Sequence, residues 1–142
     1  MPYMPAQSLL KTLLLTCTSF GAADVVEGDE RILDRGITNA CILYPGALPE
    51  YNTARMHREN LYETSLELFT KYTDTTAYAT FGTLRDAVLS TLSAAPCLSA
   101  GYFITGITGE GEPSEVYEVA DGQRRGPYFI MQRLRVAIQE NV

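Results

Sequence analysis

The side chains able to do covalent or acid-base chemistry are few and scattered. His57 is the single histidine, flanked by Met56 and Arg58, with no serine or cysteine close to it in sequence. A nucleophile and base must lie within hydrogen-bond reach, and nothing in the local sequence arranges that. Cys17, Cys41 and Cys97 form no C-x-x-C pair of the kind that binds zinc or runs redox chemistry. They are expected as reduced thiols, with Cys17 and Cys97 acting as small buried apolar residues on helix-proximal packing faces. Glu63 and Glu67 share one face of an alternating segment. Paired carboxylates of this kind serve glycosidases, but no aromatic or histidine-rich setting accompanies them, so a solvated strand face is expected.

Other patterns fall short of a cofactor or metal signature. Asp24 to Glu30 superficially resembles a calcium loop, without the alternating Asp/Asn ligands and the closing glutamate. Gly109-Glu110-Gly111-Glu112-Pro113 is too acidic to cradle phosphate and has no Gly-Lys-Ser/Thr, so it reads as a flexible loop. Arg124-Arg125, just after the turn signal Asp121-Gly122, can meet an anion or an acidic neighbour. No cofactor is expected.

These residues need positioning elements. With 142 residues the chain has the length of one domain, and 46% hydrophobic residues suffice to fill its interior. No apolar stretch approaches the ~20 residues that cross a bilayer. Leu13, Leu14 and Leu15 ahead of Cys17 superficially suit a lipoprotein signal. No basic residue precedes Lys11, however, and Lys11 itself interrupts the run, so Leu9, Leu10, Leu13, Leu14 and Cys17 are read as the stripe of a core helix ending near Gly21.

Asn39 to Tyr44 reads as a short strand and Pro45 to Arg55 as a loop. From Arg58 to Tyr72, Tyr62, Leu66 and Leu68 alternate against Glu63, Ser65, Glu67 and Lys71. Tyr78, Phe81, Leu84, Val88, Leu92 and Ala95 recur at helical spacing between Thr75 and Pro96, with Asp74, Thr75 or Thr76 to cap the start. Gly82 inside that helix suggests close approach of another backbone. Gly101 to Thr108 is a strand, Gly109 to Gly126 is mostly loop with a short strand at Ser114 to Val119, and Tyr128 to Glu140 alternates Ile130, Leu134, Val136 and Ile138 against Arg133 and Arg135. The fold class expected is α+β: a mostly antiparallel sheet with two helices packed on one face.

The order of these features resembles the tail terminator, or tail-completion, proteins of long-tailed bacteriophages. The resemblance rests on an N-terminal apolar helix, the Tyr44-Pro45-Gly46 loop, the strand from Tyr62 to Phe69, the helix from Phe81 to Val88 and the closing strand Met131 to Ile138. It implies a structural virion protein of the tail and neck, assembled in the host cytoplasm. Such a protein forms a hexameric ring that caps the tail tube, stops its elongation and joins the tail to the head connector. It implies no enzymatic activity, no cofactor and no membrane partner. The alternatives are a head-closure or connector protein and an unrelated small α+β ligand-binding domain. Seventeen acidic against eleven basic residues give a formal net charge of -6, suited to a ring through which DNA passes without being gripped. Glu63 and Glu67 facing Arg133 and Arg135 across a head-to-tail interface, with Arg124 and Arg125, are the expected subunit or partner contacts.

Overall fold

The computed structural model describes residues 3–18, 20, 24–28, 38–45, 50–51, 59–99 and 101–141. In chain order the elements are α1 (Tyr3–Leu14), β1 (Val25–Glu27), β2 (Asn39–Pro45), β3 (Glu50–Tyr51), β4 (Glu59–Lys71), α2 (Ala77–Ala94), β5 (Cys97–Ser99), β6 (Tyr102–Ala120) and β7 (Gln123–Asn141). The strands form one sheet in the order β1-β2-β4-β7-β6-β5, with β3 alongside β4.

This corrects the expected fold class. The structure is mostly sheet, and the sheet is a curled, mixed one, in which β1 runs parallel to β2 with Val25, Val26 and Glu27 opposite Cys41, Ile42 and Leu43. A three-residue strand inside an acidic segment has no measurable period, so only tertiary pairing reveals it. The stretch 29–37, which includes the end of the acidic segment, lies outside the described residues, as do 46–49 and 52–55 of the expected Pro45 to Arg55 loop, and His57.

The long strands follow directly from alternation. In β4 and β7, Leu66 opposes Leu134 and Thr64 opposes Val136. The side chains of Leu66, Leu134 and Val136 join Leu68, Ile130 and Ile138 in one buried cluster with Phe81, Leu84, Val88 and Leu92 of α2 and Leu10 and Leu14 of α1. Period 2 in the strands and period 3.6 in the helices thus converge on a single layer interface. Phe81 is 1% exposed, and its truncation to alanine should cost about 3–5 kcal/mol. The opposite sheet face holds a smaller cluster of Ala40, Ile42 and Phe69, flanked by Val26, Tyr44, Val116, Phe129 and Met131, with Phe69 and Phe129 edge to face at 6.1 Å.

Several local expectations change. Helix α1 ends at Leu14 rather than running to Gly21, because the next amides turn back in tight bonds: Thr16 N–H to the Leu13 carbonyl and Cys17 N–H to that of Leu14, each 3.0 Å. Among the described residues a Cβ on Gly82 would meet nothing within 4 Å, so no described backbone approaches there. Cys17 and Cys41 are buried whereas Cys97 is exposed, and none of the three is disulfide-bonded.

The largest departure is Gly109 to Gly126. It is no flexible loop: β6 and β7 are 19-residue strands that form a continuous hairpin turning at Asp121-Gly122. Three register shifts let β6 absorb its glycines and proline. Between the pairs Glu110–Arg133 and Ser114–Met131, β6 places Gly111, Glu112 and Pro113 opposite the single residue Gln132. A bulge tolerates a proline without a ladder donor and a glycine at positive φ, here +64° at Gly111. The buried Gln132 side chain supports the bulge, donating from Nε2 to the Gly111 carbonyl at 2.9 Å and accepting at Oε1 from Arg85 of α2 at 3.3 Å.

Candidate functional site: an ion ladder and a projecting arm

On the sheet face away from the helices, carboxylates and guanidinium groups line up across three adjacent strands. Register places Glu67 of β4 beside Arg133 of β7, and Arg133 beside Glu110 of β6. Arg133 Nη2 donates to Glu67 Oε2 at 2.9 Å, while Arg135 bridges Glu63, at 3.5 Å, and Glu110. Glu67 is 7% exposed, so its charge depends on that partner. The same bond, helped by the Coulomb field of Glu67, holds the Arg133 guanidinium above its ordinary pKa. The sequence pattern sets Glu63 and Glu67 against Arg133 and Arg135 of another copy. The structure brings these four residues together inside one chain, where they fix the register of β4 and β7.

Arg124 and Arg125 lie elsewhere. The pairing of β4 with β7 stops at Lys71–Phe129, so among the described residues the hairpin beyond Val116 and Phe129 has no further strand paired with it on the β4 side and projects as a two-stranded arm. Asp121 through Gly126, at and after its turn, are all exposed. The arm bends at its root, where the single β6 residue Tyr117 stands opposite three β7 residues, Gly126, Pro127 and Tyr128. Gly126 sits at φ +119°, and a Cβ there would come within 3.0 Å of the Tyr128 amide nitrogen and 3.5 Å of the Tyr117 ring. Only glycine suits this position.

A polar aromatic cluster closes over the bend. Glu115 accepts hydrogen bonds on both carboxylate oxygens, from the Tyr78 hydroxyl of α2 at 2.7 Å and from the Tyr117 hydroxyl. Tyr72 packs edge to face on Tyr78, and the Arg124 guanidinium lies 3.5 Å from the centre of the Tyr117 ring. The two hydroxyls, Tyr117 foremost, keep the Glu115 carboxyl below the usual range; reciprocally, Tyr78 is pushed up to about 12 by its bond to Glu115. Neither tyrosine hydroxyl is thus poised as a base near neutrality. Tyr78 and Tyr128 are the most exposed large hydrophobic residues among those described, at 44% and 43%.

Of the site residues expected from sequence, Glu63, Glu67, Arg133 and Arg135 form the ladder and Arg124 joins the tyrosine cluster. Arg125 is exposed on the arm, opposite Glu118. Sequence reasoning missed Glu115, Tyr117 and Tyr78. The available signal was the Glu115-x-Tyr117 spacing, which puts both on one strand face; the partner from α2 depends on packing alone. Among the described residues no group of three His, Cys, Asp or Glu side chains is arranged to hold a metal ion, and no helix is long and apolar enough to cross a membrane. No family model and no curated protein matches the chain.

Proposed function

We propose that this protein is a structural subunit of a long-tailed phage. In this reading it forms a hexameric ring that caps the tail tube, stops its elongation and joins the tail to the head connector. It works through surfaces rather than through catalysis, takes no cofactor, and lets DNA pass without specific contact. Its place is the virion neck, reached after assembly in the host cytoplasm. The observation that carries the reading, beside the order of sequence features given above, is the arm: a shaped, exposed hairpin projecting from a rigid sheet is what a ring subunit needs to engage a neighbour or the tube end. The net charge of -6 supports it, because a ring around moving DNA must repel the backbone rather than bind it. With the ladder residues paired inside the chain, the arm replaces them as the expected contact surface.

The test is a knockout in the phage that encodes the protein, examined by electron microscopy. Filled heads separate from tails, with tubes of uncontrolled length, are expected. Tails of normal length would sink the terminator reading, and heads leaking DNA with no tail abnormality would transfer the protein to head closure.

A further inference from the structure

The arm bends at its root, and a bent two-stranded ribbon has no reason of its own to keep one angle. Isolated two-stranded hairpins are marginal in water, and the register slip opposite Tyr117 removes ladder hydrogen bonds where the ribbon leaves the sheet. We infer that Glu115 is a latch that fixes the angle of the β6–β7 arm by holding the Tyr78 hydroxyl of α2 and the Tyr117 hydroxyl at the bend on one carboxylate.

The connections are specific. Glu115 is the last β6 residue but one before the bend, and its backbone lies opposite Ile130 on a part of β7 that β4 still supports. Its Oε1 receives Tyr78 from the first turn of α2, which belongs to the rigid body through Ala77 and Phe81 in the core. Its Oε2 receives Tyr117, the residue at the bend itself. Tyr117 in turn carries Arg124, from the returning strand of the arm, on its ring face. The chain of contacts therefore runs from helix to carboxylate to bend to arm, and removal of Glu115 severs it at the centre. Hydrogen bonds to a charged acceptor are roughly twice as strong as neutral ones, which suits a joint at the surface, where a neutral bond would yield to water. Gly126 completes the joint by leaving room at its own Cα for the Tyr117 ring of β6 and the Tyr128 ring of β7. The latch rests on this geometry alone and stands whether or not the protein caps a tail.

Hydrogen exchange on the intact chain tests it, comparing wild type with Glu115→Ala and Tyr78→Phe. In E115A the amides of residues 118–125 should exchange about tenfold faster or more, while peptides from the centre of α2 and from β4 are unchanged. In Y78F, which loses one surface hydroxyl and keeps the bond from Tyr117, the same amides should accelerate by a smaller factor. Unchanged arm exchange in both variants would overturn the inference. So would acceleration spread evenly over β4, β7 and α2, since that reports global destabilisation. Should E115A fail to fold, the arm amides of Y78F decide alone.

Discussion

Glu67 is the side chain whose surroundings demand most of its partner. It sits between Ile42 on β2 and Arg133 on β7, nearly excluded from water, while Arg133 keeps about half its surface exposed (47%). Arg133→Ala should therefore destabilise the fold by about 1–2 kcal/mol: the lost charged hydrogen bond is partly offset because solvent already reaches this end of the pair. Urea unfolding reads this directly, and a midpoint equal to wild type would show that Glu67 is solvated by another route. The thiols give a second expectation. Burial pushes the Cys41 thiol far above its ordinary range, with Cys17 and Glu67 adding to the effect, whereas Cys97 is exposed. An alkylating reagent applied to native protein at mildly alkaline pH should modify Cys97 and spare Cys17 and Cys41 until denaturant is added. Mass spectrometry showing early modification of Cys41 would contradict its placement between β1 and β4.

The elements differ in how openly the sequence announces them. α2, β4 and the second half of β7 carry sustained periodicity, and their buried residues Phe81, Leu84, Leu66, Leu68, Leu134 and Val136 are those the spacing singles out. β1 and the middle of β6 do not: Val25–Glu27 is too short for a period, and Gly109, Gly111 and Pro113 are loop residues by every local rule. Pairing with the regular partner β7 overrides those rules, and Gln132 supplies the bond that the bulge needs. The site was half legible for the same reason, since the ladder residues lie on alternating strands whereas Glu115 meets Tyr78 only through helix packing. The start of α2 follows local chemistry instead. Asp74 accepts hydrogen bonds from the Thr76 hydroxyl and from the Thr76 amide, at 2.8 Å for the latter, and these keep its carboxyl below the usual value of 3.8. A carboxyl with a lower pKa in the folded than in the unfolded state contributes stability that is complete above its ordinary pKa and vanishes as the pH falls through the folded value. The gap in urea midpoint between wild type and Asp74→Ala should therefore be widest near neutrality and should narrow on acidification below the ordinary carboxylate range. A gap independent of pH would mean that the charge of Asp74 plays no part in starting α2.

For the whole molecule, the decisive division is between a body that is internally satisfied and an arm that is not. The body has its helices on a common core, its ladder charges paired within the chain, and a β6 edge marked by bulges, Pro113 and acidic residues, all devices that discourage edge-to-edge association. The arm has an exposed turn, the adjacent Arg124 and Arg125, and a latch holding it at a set angle. If copies of this chain associate head to tail into a closed ring, as proposed, a surface shaped in advance loses less entropy on docking than a flexible loop would. Replacing Glu118 to Arg125 by a short glycine-containing turn removes that surface and leaves the core cluster, the ladder and the Glu115 hydrogen bonds to Tyr78 and Tyr117 in place. The shortened protein should unfold at nearly the wild-type urea concentration and yet stay monomeric by light scattering at concentrations where wild type assembles. Charge reversal at Arg135, by contrast, should disturb its contacts with Glu63 and Glu110 and lower stability along with any effect on assembly. Rings of wild-type size from the shortened chain would move the interface from the arm to the body of the sheet.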